Sequence, residues 1–239
     1  MCANLLQKLY QKDTIECHLS LDDASPLGII CHRGYLRRLL WFHNRFGCRF
    51  TLYLFAKDIH GKEFVPEEKK PEFVSCTKWI SFGFHGIETD ASINEFQEAY
   101  GKVKHFCENI TGGKGLASIV RLHRFKGREE VVCFLKRNKA RVLLTADDER
   151  VSYDLTEEEN QILLKEGQLS KADMEYWRTD IRLEKKSWYW DTVNAIKRKK
   201  RVVIFSHEPM LVKWRYFFLW ARLYIILKKM ERKYNVHYL

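Results

Sequence analysis

The sequence predicts an α/β fold of the β/α-barrel kind, with parallel strands inside and helices outside. Three observations lead there. Short apolar runs of strand length alternate with longer stretches of helical spacing. Each polar cluster of interest follows directly on an apolar run, as where strand ends and their loops build a site on one face of a barrel. No internal repeat or linker divides the 239 residues, so the chain reads as one domain, 1–239, with 211–239 a C-terminal aromatic and basic helical extension.

The elements follow in order. Thr14 to Leu21 reads as a strand that breaks into the acidic turn Asp22-Asp23-Ala24-Ser25-Pro26. Cys31 to Phe46 is helical, with Leu36, Leu39, Leu40 and Phe42 at helical spacing, and Arg49 to Phe55 is a strand. Lys57 to Pro71 is charged, contains Pro66 and Pro71, and reads as a loop. Ile80 to Phe84 is a strand ending at His85-Gly86, and Asn94 to Ile110 is a helix stopping at Gly112-Gly113. Ser118 to Leu122 is a strand, Glu129 to Lys136 a helix, and Val142 to Thr145 a strand closing on Asp147-Asp148. Thr156 to Ser170 is a polar helix, Asp180 to Glu184 a short strand, Tyr189 to Lys199 a helix, and Val202 to Ser206 a strand ending at His207.

Composition narrows the class. At 46% hydrophobic and 14% aromatic residues, the chain holds enough apolar material for a sizeable core, which excludes disordered and fibrous architectures. The formal charge of +11, from 42 Lys+Arg against 31 Asp+Glu, suits an anionic partner such as an acidic glycan, a nucleotide-linked sugar or an anionic lipid surface. Nucleic acid is not expected, because no zinc-finger spacing, aromatic RNA-binding motif or recognition-helix pattern accompanies the charge. Seven cysteines without a C-x-x-C pair, and an N-terminus without the regions of a signal peptide, lead to the expectation of reduced thiols and a cytoplasmic protein. Trp214 to Leu227 is strongly apolar but carries Arg215 and Arg222, so it reads as a packed helix or an interfacial one rather than a spanning one. Peripheral membrane contact through 211–230 is the expectation that follows from the latter.

Two adjacent carboxylates, Asp22 and Asp23, are the most informative pair. Charges that close raise each other's pKa and cost desolvation, so packing alone seldom places them together. At a strand end, one can bind a metal while the other acts as a base, since successive strand residues point to opposite sides. The other reading is an ordinary Asp-rich turn. His18, just upstream, reads as a core histidine, and Arg121 as either a site residue or the partner of a carboxylate such as Asp147.

Four strand ends carry a resemblance when taken in order: Ser20-Leu21-Asp22-Asp23, Phe82-Gly83-Phe84-His85-Gly86, Ile119-Val120-Arg121-Leu122-His123-Arg124-Phe125 and Val203-Ile204-Phe205-Ser206-His207-Glu208. Together with Phe46 to Phe55, they resemble the polysaccharide deacetylase (NodB-homology, carbohydrate esterase family four) superfamily, over roughly residues 14 to 210. The resemblance implies a distorted β/α barrel and a hydrolase of carbohydrate metabolism. Such an enzyme removes an acetyl group from an N- or O-acylated sugar or polysaccharide precursor.

It also implies roles. Asp22 matches the family's general base, Asp23 and His85 its metal ligands, Arg121 the residue that holds the base in place, and His207 the general acid. The cofactor implied is a divalent metal, zinc first, with nickel or cobalt as alternatives. A metal bound by carboxylate and imidazole polarises the carbonyl and lowers the pKa of its water. His123, Asp147, Asp180 and Arg182 are the expected substrate-binding residues, and Trp177, Trp188, Tyr189 and Trp190 could stack on sugar rings. The chain departs from the family pattern at Thr89, which stands where a second metal-binding histidine is usual; Glu88, Asp90 or His123 could substitute. Asp147-Asp148 also lacks the Trp that follows the family's Asp. A non-catalytic carbohydrate-binding relative without the full metal site is therefore the alternative reading.

Overall fold

A computed structural model of the chain describes residues 12–24, 33–56, 76, 78–86, 91–198 and 200–239. The expected loop at 57–71 and Thr89 lie outside the described residues. The first half runs β1 (Thr14–Ala24), α1 (Arg33–Phe46), β2 (Phe50–Phe55), β3 (Ile80–Gly86), α2 (Ile93–Thr111), β4 (Ile119–Val120), α3 (Glu129–Arg137) and β5 (Val142–Leu144). The second half runs α4 (Glu157–Glu166), β6 (Gln168–Lys171), β7 (Met174–Trp177), β8 (Ile181–Arg182), α5 (Trp188–Arg198), β9 (Arg201–His207), α6 (Glu208–Val212), α7 (Phe218–Lys233) and β10 (Asn235–Tyr238).

The strands form a six-stranded sheet in the order β3-β2-β1-β9-β8, with β10 also paired to β1, and a four-stranded sheet in the order β4-β5-β7-β6. Every pairing is parallel except that of β6 with β7. The sheets adjoin where Ala117 N–H donates to the Phe82 carbonyl at 2.7 Å, and where β7 leads into β8 through Arg178, Thr179 and Asp180. The expected α/β class, a mostly parallel sheet with flanking helices, is what the chain adopts; the strand pairings leave two sheets rather than one closed ladder.

β1 is buried along nearly its whole length, as a parallel strand covered on both faces must be. Inside the sheet the strand β3 passes close to β2: a Cβ on Gly83 would lie 2.4 Å from the Tyr53 ring. Only a residue without a side chain lets that ring lie there. The Tyr53 hydroxyl donates to the Ile119 carbonyl at 2.9 Å and meets His18 Nε2 at 3.3 Å. His18 is thus the core histidine expected.

The helices start and stop where their caps dictate. Ser92 and Glu95 form a reciprocal capping box at the start of α2, and Thr156 and Glu159 do so for α4. The helix expected as far as Ser170 ends instead at Glu166, because Gly167 adopts φ 80°, and its N–H donates to the Leu163 carbonyl. Residues Gln168–Lys171 then turn back as a strand, antiparallel to β7.

The C-terminal segment is built into the sheet. α7 buries Leu219, Leu223, Ile226, Leu227 and Met230 along one stripe, each contributing about 2 kcal/mol of apolar burial. β10 then pairs Asn235 to Tyr238 against Thr14 to Cys17, filling the edge of β1 below β2.

Candidate active site

The parallel register of β1 and β9 runs from Glu16↔Arg201 to Asp22↔His207, so the base and acid candidates stand opposite each other at the strand ends. The β1–β2 register slips by one residue between Leu21 and Ala24, with Leu21 opposite Leu52 and Ala24 opposite Leu54. Asp23 sits in this bulge with φ 56°. A bulge re-aims a side chain at the cost of local strain. Asp22 and Asp23 consequently join one cluster, instead of pointing to opposite sides as a regular strand would require.

In that cluster Asp22, 2% exposed, has its Oδ1 3.4 Å from Nε of Arg121, which is wholly buried. The contact is one of charge rather than an aligned hydrogen bond: Asp22 Oδ1 and Arg121 Nε and Nη2 have no hydrogen-bond partner among the described residues. Arg121 Nη1 donates to Thr179 Oγ1 at 2.9 Å, and its guanidinium lies 4.4 Å from the Phe205 ring centre. Asp23 Oδ1 is 3.3 Å from His85 Nε2, while His85 Nδ1 is 2.8 Å from the Arg121 carbonyl. The carbonyl can only accept, so Nδ1 carries a proton there. Arg121 thus faces Asp22 with its side chain and orients His85 with its backbone.

His207 is held by Glu184, a residue the sequence reading left out of the site. One oxygen of Glu184 accepts from Ser206 Oγ at 2.7 Å and from the His207 N–H at 2.9 Å, and lies 3.3 Å from His207 Nδ1. Its second oxygen lies 3.4 Å from Arg182 Nε. Glu184 closes the short strand expected at Asp180 to Glu184, but nothing in that reading says that it meets a histidine on the next strand.

Electrostatics separates the roles. Burial lifts the Asp22 carboxyl above the usual aspartate range, against the pull of Arg121, His85 and His207, and Asp23 adds to the rise. For Asp23 burial also pushes upward, but the hydrogen bond and charge of His85, with His207 and His123, hold it below the usual range. Burial pulls His207 down, yet the hydrogen bond to Glu184 and the charges of Asp22, Glu184 and Asp23 raise it above an ordinary histidine. Glu184 itself is driven to about 2: burial opposes this, and His207 and Ser206 win.

The remaining expected residues divide. His123 lies in a 3₁₀ turn, His123–Phe125, its ring 5.7 Å from that of His85 and 5.1 Å from Phe55. Arg182 reaches the cluster through Glu184. Asp147 is engaged by Lys185 at 2.7 Å rather than by Arg121, so the alternative pairing of Arg121 gives way to Asp22. Asp180 faces away from the cluster: it pairs with Arg198 and accepts from the Val203 N–H at 2.8 Å, four register positions before His207. A cavity of about 410 Å³ opens beside His85 and His123, with Ser92, Lys126, Arg128 and Tyr153 in its lining.

This geometry sits on a fold with known counterparts. A crystal structure from Mycobacterium smegmatis, described as a polysaccharide deacetylase, superposes with a TM-score of 0.55 at 12% identity, over 90% of this chain and 84% of that one. The fold is that of the polysaccharide deacetylases. A peptidoglycan N-acetylglucosamine deacetylase gives 0.49 at 10% identity over 99% and 94% of the two chains. A Bordetella bronchiseptica protein described as a polysaccharide deacetylase involved in O-antigen biosynthesis gives 0.43 at 11% over 87% and 76%. No family model and no curated protein matches the sequence.

The deacetylase resemblance implies a divalent metal on Asp23 and His85. Those two side chains are in direct contact with each other, and no group of three His, Cys, Asp or Glu among the described residues could hold a metal ion. Asp23 and His85 would supply two ligands, and the described residues do not complete the site.

Proposed function

We propose that the chain is a hydrolase removing an acetyl or related acyl group from an N- or O-acylated sugar or polysaccharide precursor. The observation that carries this reading is the pair Asp22 and His207, in register at the ends of neighbouring strands. The deacetylase fold of the Mycobacterium smegmatis neighbour supports it. Ionised Asp22 takes a proton from water as the water oxygen bonds to the acyl carbon. His207 then gives its proton to the departing nitrogen or oxygen as the bond from the acyl carbon breaks, releasing acetate and the free amine or alcohol. Arg121 holds Asp22 in its ionised form, and Glu184 holds His207 in its protonated form.

The test is acetate release from acetylated oligosaccharides and acetylated amino sugars, with and without added zinc, nickel or cobalt. Release that disappears in Asp22→Asn and His207→Ala supports the reading. No release under any of these conditions overturns it. A second reading, a carbohydrate-binding relative, is favoured by the Asp23–His85 contact that lacks a third ligand among the described residues. Saturable sugar binding without acetate release would establish that one instead.

A further inference from the structure

Large apolar side chains gather on one surface that the candidate site does not use. Trp214 is 77% exposed, Trp41 51% and Phe217 49%, with Tyr224 and Ile225 exposed beside them and the Trp214 and Phe217 rings 5.4 Å apart. α1 and α7 hold this surface together: Phe42 stacks on Trp220 at 5.6 Å, and Trp41 and Phe46 approach Tyr224 at 6.1 and 5.6 Å. A shallow groove of about 410 Å³ runs between the helices, lined by Trp41, Phe217, Trp220 and Tyr224. Monomeric proteins seldom leave a contiguous apolar patch of this kind in water without a use for it.

Its charge is one-sided. α1 has no acidic residue and carries Arg37, Arg38 and Arg45. From residue 208 to 233 the only acids are Glu208, which is buried, and Glu231, which is paired with Arg45 and Lys228. Lys213 and Arg215 flank Trp214 and are exposed, and Arg38 lies over the Phe217 and Trp220 rings. No described helix is long and apolar enough to cross a membrane. Exposed tryptophans and phenylalanines bordered by arginine and lysine suit the headgroup layer of an anionic bilayer, where rings enter the acyl boundary and cations meet lipid phosphate.

We propose that this α1–α7 face docks the protein on an anionic membrane surface, with Trp41, Trp214 and Phe217 entering the interface and Arg37, Arg38, Lys213 and Arg215 meeting the headgroups. The topology directs this contact. α7 begins after the end of β9 that carries His207 and leads to β10, whose Asn235 pairs with Thr14 at the far end of β1. Trp214 and Phe217 therefore lie toward the end of the sheet that bears Asp22 and His207. The surface acts independently of whether that site hydrolyses an acyl sugar.

The experiment is co-sedimentation of the full chain with vesicles of phosphatidylcholine alone and of phosphatidylcholine mixed with phosphatidylglycerol, over a salt series. Three proteins are compared: wild type, Trp41→Ser/Trp214→Ser/Phe217→Ser, and Lys213→Gln/Arg215→Gln. All the altered side chains are exposed, and unchanged urea midpoints confirm folding. The expected result is binding to phosphatidylglycerol vesicles that weakens with salt and is about tenfold poorer on neutral vesicles. The aromatic variant loses about tenfold or more, and the charge variant binds less with a shallower salt dependence. No binding to phosphatidylglycerol vesicles overturns the proposal, as does binding that neither variant changes. A dimer in size-exclusion chromatography that the aromatic variant dissociates, without vesicle binding, overturns it in favour of a second copy of the chain.

Discussion

Asp22 and His207 are cross-strand partners at the ends of β1 and β9: the charge of Asp22 helps to raise the pKa of His207, while the charge of His207 restrains the rise that burial imposes on Asp22. Such a pair titrates as a unit, with an ionised carboxylate beside a protonated imidazole as its working form.

If this pair carries out the proposed acyl hydrolysis, the pH profile is expected to be bell-shaped. Activity rises as Asp22 ionises, above the usual aspartate range, and falls as His207 loses its proton, above the usual histidine range. Glu184→Gln removes the hydrogen-bonded charge that raises His207, so the alkaline limb of kcat/KM moves to lower pH. His207→Ala lowers kcat by about 10²–10⁴ with the fold intact. An alkaline limb unchanged in Glu184→Gln would remove Glu184 from this role.

Arg121 is a buried cation facing a buried carboxylate, and removing one charge strands the other. Arg121→Met is expected to cost about 3–5 kcal/mol in chemical denaturation. Adding Asp22→Asn recovers part of that loss, because the uncompensated charge is then gone. Asp147→Asn added to Arg121→Met recovers nothing, since Asp147 is held by Lys185.

His18 couples stability to acid. Burial, with the charges of Arg121 and Arg201, lowers its pKa from the ordinary 6.5 to about 3. The folded state therefore binds this proton less readily than the unfolded chain. The stability linked to neutral His18 is whole above about pH 6.5 and is lost as pH falls toward 3, at about 1.4 kcal/mol per pH unit. His18→Asn is expected to be less stable at neutral pH but to lose less between pH 7 and 5. Urea midpoints at the two pH values measure this.

Two glycines give opposite results with alanine. Gly83→Ala drives a Cβ to within 2.4 Å of the Tyr53 ring and is expected to destabilise by about 1–3 kcal/mol. Gly101, inside α2, has nothing within 4 Å of an added Cβ, so Gly101→Ala stabilises by about 0.5–1 kcal/mol through helix propensity. Thermal melts of the two variants test the close approach of β3 to Tyr53 directly.

Much of the fold was legible because strand and helix periods are local. β1, β2, β3, β5, β9 and the helices α1, α2, α3 and α5 lie within a few residues of where apolar spacing put them. The short strands β4 and β8 were read at Ser118 to Leu122 and Asp180 to Glu184, but β6, β7 and β10 were not legible. β10 has only four residues, Asn235–Tyr238, and becomes a strand by pairing with the first turn of sheet at Thr14 to Cys17. The hairpin of β6 and β7 lay hidden in a polar stretch whose helical pattern runs past Gly167 until the backbone turns there. Glu184 was named only as the end of a short strand, because its partner His207 lies 23 residues away in sequence.

What the sequence by itself determined is which polar residues stand at the ends of apolar strands: Asp22, Asp23, His85, Arg121 and His207. That much follows from local pattern, since each strand ends where its apolar run ends. Only the tertiary structure decided how those ends combine. A bulge opposite Tyr53 turns Asp23 to His85 while Asp22 keeps Arg121, the β1–β9 register sets Asp22 against His207, and Asp180 is drawn off to Arg198. Register, bulge and crossover depend on neighbours far apart in the chain, and a period read along one strand carries no information about them.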